Sequence, residues 1–208
     1  ILRSSNGTVD YPVFGAALDL PAPGDFDGDG RADLVVFRPS QGIWYRVNSA
    51  NGSFLAFPFG QNGDVPTVGD FDGDGKNDYG IFRPSIGDWY HVFSGSGGLF
   101  GERFGQTGDK MAPADYDGDG KTDIAIYRPS TGLWVVRNSA TATYSYHVFG
   151  APADIPISGD YDGDGKADIG VWRPSDGTWY IQRSDNGQFI VFPWGQNGDV
   201  PTPAAFGN

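Results

Sequence analysis

One unit of 45 residues, repeated four times without insertion or deletion, constrains this chain more than any other feature. The segment "GDFDGDGRADLVVFRPSQGIWYRV" returns as "GDFDGDGKNDYGIFRPSIGDWYHV", "ADYDGDGKTDIAIYRPSTGLWVVR" and "GDYDGDGKADIGVWRPSDGTWYIQ". Its leading aspartates are Asp25, Asp70, Asp115 and Asp160. The ends keep the same period: "ILRSSNGTVDYPVFG" from Ile1 matches "IQRSDNGQFIVFPWG" from Ile181. Such a chain folds by burying each unit's apolar face against its neighbour. The units run 25–69, 70–114, 115–159 and 160–204, with 1–24 and 205–208 as partial units of a single domain over 1–208.

Each unit reads as four short strands. "DVPTVGDF" is the first, followed by an aspartate loop and the apolar run "DLVVFRP". "SQG" turns the chain into "IWYRVNS", and "ANG" turns it again into "SFLAFPFG". The pairs Asn6-Gly7, Asn51-Gly52 and Asn186-Gly187 suggest type I′ hairpin turns, with positive φ at both central residues. Pro21, Pro66, Pro113, Pro156 and Pro201 fall in the first strands, which therefore belong at a sheet edge, lining a central channel. Aromatics at 15%, 33 glycines and 15 prolines suit strands and tight turns, and nothing sustains a helical period. The expected fold is all-β: a β-propeller of four-stranded antiparallel blades. Five blades with one shared between the termini are expected; the alternative is an arc of a larger ring, such as a seven-bladed one.

All but one of the 26 acidic residues are Asp, Glu102 being the exception. Sixteen of them fall in four loops with the pattern D-x-D-G-D-G-x-x-D. The four sets are Asp25, Asp27, Asp29 and Asp33; Asp70, Asp72, Asp74 and Asp78; Asp115, Asp117, Asp119 and Asp123; and Asp160, Asp162, Asp164 and Asp168. A hard dication explains the crowding, because calcium takes 6–8 oxygens at about 2.3–2.6 Å from a loop coiled around it. Positions 1, 3, 5 and 9 offer carboxylates. Position 7 offers a backbone carbonyl, so its side chain is free to be basic, as in Arg31, Lys76, Lys121 and Lys166. Magnesium, which keeps its waters, fits less well. An EF-hand is excluded, because position 12 is Val36, Ile81, Ile126 or Val171 instead of Glu. In the fifth copy Ala205 and Gly207 replace the first two aspartates, so four Ca2+ ions are expected, not five.

The unit carrying "DFDGDGRADLVVFRPS" and a recurring "FG" resembles the FG-GAP/VCBS repeat, the blade unit of integrin-alpha-type β-propellers. The resemblance covers the whole chain and is most specific in the aspartate loop. It implies calcium between two adjacent strands of each blade, and a secreted or cell-surface setting. It also implies a role in adhesion or glycan recognition.

Other features narrow the function. The formal net charge of −12 argues against nucleic acid and anionic membranes as partners. No apolar run approaches the ~20 residues of a spanning helix. There is no cysteine, hence no disulfide or thiolate site. The chain begins with Ile and shows no signal peptide, as expected of an excised or processed piece, so assembly with other domains of a parent protein is expected. Trp44, Trp89, Trp134 and Trp179 recur at one position, either as inter-blade packing or as sugar-stacking platforms; packing is the stronger reading. The same holds for Phe14, Phe59, Phe104, Phe149 and Trp194. Arg38, Arg83, Arg128 and Arg173 suit forks onto a loop aspartate or carbonyl. His91 and His147 break the repeat without a recurring partner. No nucleophile motif or phosphate loop points to an enzyme. The expected function is a calcium-rigidified module that binds a glycan or extracellular protein; the alternative is a structural spacer or assembly unit.

Overall fold

The structure, a computed structural model, describes residues 7–9 and 12–202. Its strands are β1 (Leu20–Pro21), β2 (Leu34–Arg38), β3 (Ile43–Val47), β4 (Phe54–Pro58), β5 (Val65–Gly69), β6 (Asp78–Arg83), β7 (Asp88–Val92) and β8 (Leu99–Arg103). They continue as β9 (Lys110–Met111), β10 (Ile124–Arg128), β11 (Leu133–Arg137), β12 (Tyr144–Val148), β13 (Ile155–Pro156), β14 (Ile169–Arg173), β15 (Thr178–Gln182) and β16 (Phe189–Pro193). Four consecutive strands form each of four antiparallel sheets in simple up-and-down order. The protein is therefore an all-β propeller with four blades among the described residues. The expected shared fifth blade rests largely on residues 1–6, 10–11 and 203–208, which lie outside the described residues, as do Ala205 and Gly207.

The first strand of each blade pairs on one side only. Pro21, Pro66 and Pro156 occupy these edge strands, where a missing N–H costs no ladder bond. Pro113 lies beyond the end of β9, and Pro201 lies in no strand.

The turn reading is corrected in one respect. In the hairpin after β3, Gly52 alone takes positive φ, at 70°, and its N–H donates to Asn48 O at 2.8 Å. Asn51 is not left-handed, so the loop is a four-residue turn closed by one glycine instead of a two-residue type I′ turn. Gly97 and Gly187 repeat the conformation; Ala142, at φ 55°, holds it in the third blade without being glycine.

The recurring "FG" has a geometric cause. Gly87, in the β6–β7 turn, has φ 76° and lies so close to Gly105 that a Cβ would sit 2.5 Å from its carbonyl carbon and oxygen. Phe104 N donates back to Gly87 O at 2.9 Å. The same crossing occurs at Gly42 with Gly60, Gly132 with Gly150 and Gly177 with Gly195. Gly87→Ala is therefore expected to destabilise the protein by about 2–3 kcal/mol, measured by urea unfolding, because neither the backbone angle nor the facing peptide tolerates a methyl.

Apolar side chains fill the wedges between blades. Phe82 and Trp89 of the second blade pack against Ile124, Ile126 and Val135 of the third, and the other junctions repeat this. Trp44, Trp89 and Trp134 have no exposed surface, and each donates its indole N–H to a backbone oxygen, of Phe59, Phe104 and Phe149 respectively, at 2.8–3.0 Å. This withdraws the sugar-stacking role for these three. Trp179 makes the same bond to Trp194 O and stays partly exposed.

Candidate metal centre

The aspartate loops lie between the first and second strands of each blade. Two glycines per loop adopt positive φ, as at Gly73 (81°) and Gly75 (83°), which curls the backbone enough to turn successive carboxylates inward. In the second loop Asp70 accepts N–H bonds from Gly73, Asp74 and Gly75. Asp72 accepts one from Asp74, and Asp74 accepts one from Lys76.

Asp78 anchors the loop to the sheet. It has no exposed surface, and its two oxygens accept from Phe71 N at 2.8 Å and Ser94 N at 2.6 Å. Asp33, Asp123 and Asp168 are held the same way. Ser94 also donates its hydroxyl to Asp74 Oδ2 at 2.8 Å, so the hairpin after β7 closes over the loop. Ser49, Ser139 and Ser184 do the same in their blades. Sequence reading missed these serines, although one follows each lead aspartate at a constant spacing.

Each loop brings together three carboxylates whose oxygens lie within 4.8 Å of one another. These are Asp25, Asp27 and Asp29; Asp70, Asp72 and Asp78; Asp115, Asp117 and Asp123; and Asp160, Asp162 and Asp168. Asp33, Asp74, Asp119 and Asp164 fall outside these closest sets. The lysines of position 7 reach away: Lys76, Lys121 and Lys166 lie over Gly28, Gly73 and Gly118 of the preceding loop. Arg31 instead folds back onto Asp29 at 2.6 Å. The loops also touch in sequence around the propeller, through Asn77 N to Asp25 O, Thr122 N to Asp70 O and Ala167 N to Asp115 O, at 2.6–2.7 Å.

The buried carboxylates decide whether a cation fits. Among the described residues none of Asp33, Asp78, Asp123 and Asp168 has an ion-pair partner. Burial pushes the Asp78 carboxyl up to about 6, and the negative Asp72 adds to the effect. The same cause raises Asp33, Asp123 and Asp168. Buried, uncompensated carboxylates beside two more acids form an all-oxygen donor set for a hard dication. The loops are not equivalent. Asp29 is paired with Arg31 and Asp162 with Arg183, at 3.0 Å, while among the described residues the second and third clusters have no ion-pair partner.

The arginines of "RPS" have a different role. Arg38, Arg83, Arg128 and Arg173 each fork two nitrogens onto Asp19, Asp64, Asp109 and Asp154, outside the metal loops, at 2.7–2.9 Å. Each fork ties the end of a second strand to the start of the first strand in the same blade.

Family comparison agrees with this geometry. Residues 25–81 match the model of the FG-GAP-like repeat, and residues 107–146 match that of the FG-GAP repeat. This β-propeller carries FG-GAP repeats. Among curated proteins none matches it. The FG-GAP chain is similar in fold to a streptogramin B lyase, at 12% identity and a TM-score of 0.54, over 85% of this chain and 54% of the lyase. It is also similar to a catalytically inactive virginiamycin B lyase from Staphylococcus aureus solved with quinupristin, at 10% identity and a TM-score of 0.56, over 96% and 62% of the two chains. A third similar structure is an auxiliary nutrient binding protein from Bacteroides ovatus, at 14% identity and a TM-score of 0.53, over 83% and 48%. The chain thus spans about half to three fifths of these proteins, and the likeness is one of fold. No helix among its described residues is long and apolar enough to cross a membrane.

Proposed function

We propose that this chain is a calcium-stabilised binding module of a secreted or cell-surface protein, and that its ligand is a glycan or an extracellular protein. The observation that carries the reading is the set of four buried aspartates, none of them in an ion pair among the described residues, each at the base of an acidic loop. Calcium would supply the missing positive charge, and four dications would bring the formal charge of −12 two thirds of the way to neutrality. Asp70, Asp72 and Asp78, their equivalents in the third and fourth loops, and Asp25, Asp27 and Asp29 in the first would hold the ion; the fourth aspartate and the position-7 carbonyl are the remaining donors that each loop offers. The role of the ion is structural, fixing the loops and the hairpins that cover them. We expect no catalysis from these aspartates, since carboxylates committed to metal do not shuttle protons.

A glycan array with the calcium-loaded chain tests the binding reading. Binding that is lost in chelator and regained with calcium supports it. Silence on the array and against extracellular-matrix proteins would contradict it.

A second reading, an assembly unit, is favoured by the trailing face of the fourth blade. There Phe192 is 56% and Trp194 67% exposed, whereas Phe104, the counterpart of Trp194, is buried in a junction. Sedimentation would show self-association of the FG-GAP chain if this face serves assembly.

A further inference from the structure

The three junctions between blades are built from equivalent positions, yet one of them is hollow. At the first junction the Phe57 ring is tilted against Tyr79 at 4.9 Å, and Arg46 lies over Phe26 and Tyr79 at 5.6 and 5.8 Å. At the second, His91 stacks on Phe71 at 3.8 Å and on Phe100 at 5.8 Å, and a gap of about 120 Å³ remains. At the third, the positions of Leu55 and Phe57 are held by Ser145 and His147, and that of Arg46 by Val136. With no large ring to fill it, the space becomes a cavity of about 340 Å³ between the third and fourth blades. That volume lies in the range of small-molecule sites.

The wall of this cavity is amphipathic. Val136 and Ile169, both buried, and Tyr116 form its apolar part. Asn138, Ser145, His147 and Gln182 supply amide, hydroxyl and imidazole groups. Of the two basic residues on the wall, Arg183 is already committed to Asp162 and Asp185, and Lys166 lies over Gly118 of the preceding acidic loop. A strongly acidic chain with that arginine neutralised favours an uncharged ligand over an anion.

We propose that the cavity between the third and fourth blades binds a neutral, hydroxyl-rich ring of about the size of one hexopyranose. This rests on the binding-module reading and gives that reading a single location, at the place where the repeat loses its packing residues. Amide, hydroxyl and imidazole groups beside buried Val136 and Ile169 match the hydroxyls and C–H faces of such a ring.

The test uses the full calcium-loaded chain and backbone-amide NMR, titrated with methyl glucoside, methyl galactoside and methyl mannoside, with glucuronate as the charged control. A Ser145→Leu/His147→Phe double variant fills the cavity with residues that the first blade already carries, and Gln182→Ala trims the rim without disturbing the core. At least one neutral glycoside should shift amides of residues 136–147 and 166–169. Its affinity should fall by about tenfold or more in the filled variant and measurably in Gln182→Ala, with thermal stability retained. Preference for glucuronate, or neutral-sugar binding that survives filling, overturns this site while leaving a glycan-binding module standing. No binding by the wild-type chain here, together with a silent array, removes both.

Discussion

Chelation of calcium is expected to lower the melting temperature of this protein by at least about 10 °C, because several sites each stabilise the native state by roughly 2.7 kcal/mol when the ion is at about a hundred times its Kd. Calcium alone should restore the loss; magnesium should do so poorly, since it resists giving up its waters to a loop of carboxylates. The physical origin is local. Without an ion, Asp78 is wholly buried against two backbone N–H groups with Asp70 and Asp72 close by, and burial has already pushed its carboxyl up to about 6. A dication turns that repulsion into the tie between loop, sheet and hairpin. Scanning calorimetry with EDTA, then with each metal, measures the effect; an unchanged transition would count against metal-stabilised loops.

The second large effect concerns the arginine forks. Arg83→Ala should cost about 3–5 kcal/mol, because it leaves the Asp64 carboxylate, only 1% exposed, without its cation. It also removes the guanidinium that lies 5.0 Å from the centre of the Tyr90 ring. The double variant Arg83→Met/Asp64→Leu should recover much of the loss, since matched apolar groups remove the uncompensated charge instead of exposing it. Urea unfolding of both variants distinguishes a buried ion pair from a simple packing contribution. Equal destabilisation by the single and double changes would refute the electrostatic account.

The repeat made most of this architecture legible. A constant spacing of aspartates, "RPS" and "FG" located strands and loops, and the prolines placed the first strand at the edge, as β1, β5 and β13 have it. Two kinds of feature were harder to read. Turn type depends on how many residues the flanking strands leave free, so Asn51-Gly52 suggested a two-residue turn where the ladder leaves four. Contacts between units depend on how blades are placed relative to one another. The arginines were read as forks, but their partners could have been any nearby loop aspartate; the structure chooses Asp19, Asp64, Asp109 and Asp154. Trp44, Trp89 and Trp134 favoured the wedge over a sugar from their recurrence alone, and burial and the indole bonds decide for it. The inequality of the metal loops had the same cause, since Arg183 reaches Asp162 only once the hairpin after β15 folds over the loop.

Calcium titration calorimetry on the metal-free chain is the most direct measurement of the central claim. Four ions per chain are expected, the second and third loops filling first because no arginine competes for their carboxylates. Absence of binding at millimolar calcium, or a stoichiometry that does not fall when Asp72→Ala and Asp117→Ala are introduced, would contradict a dication in each intact loop.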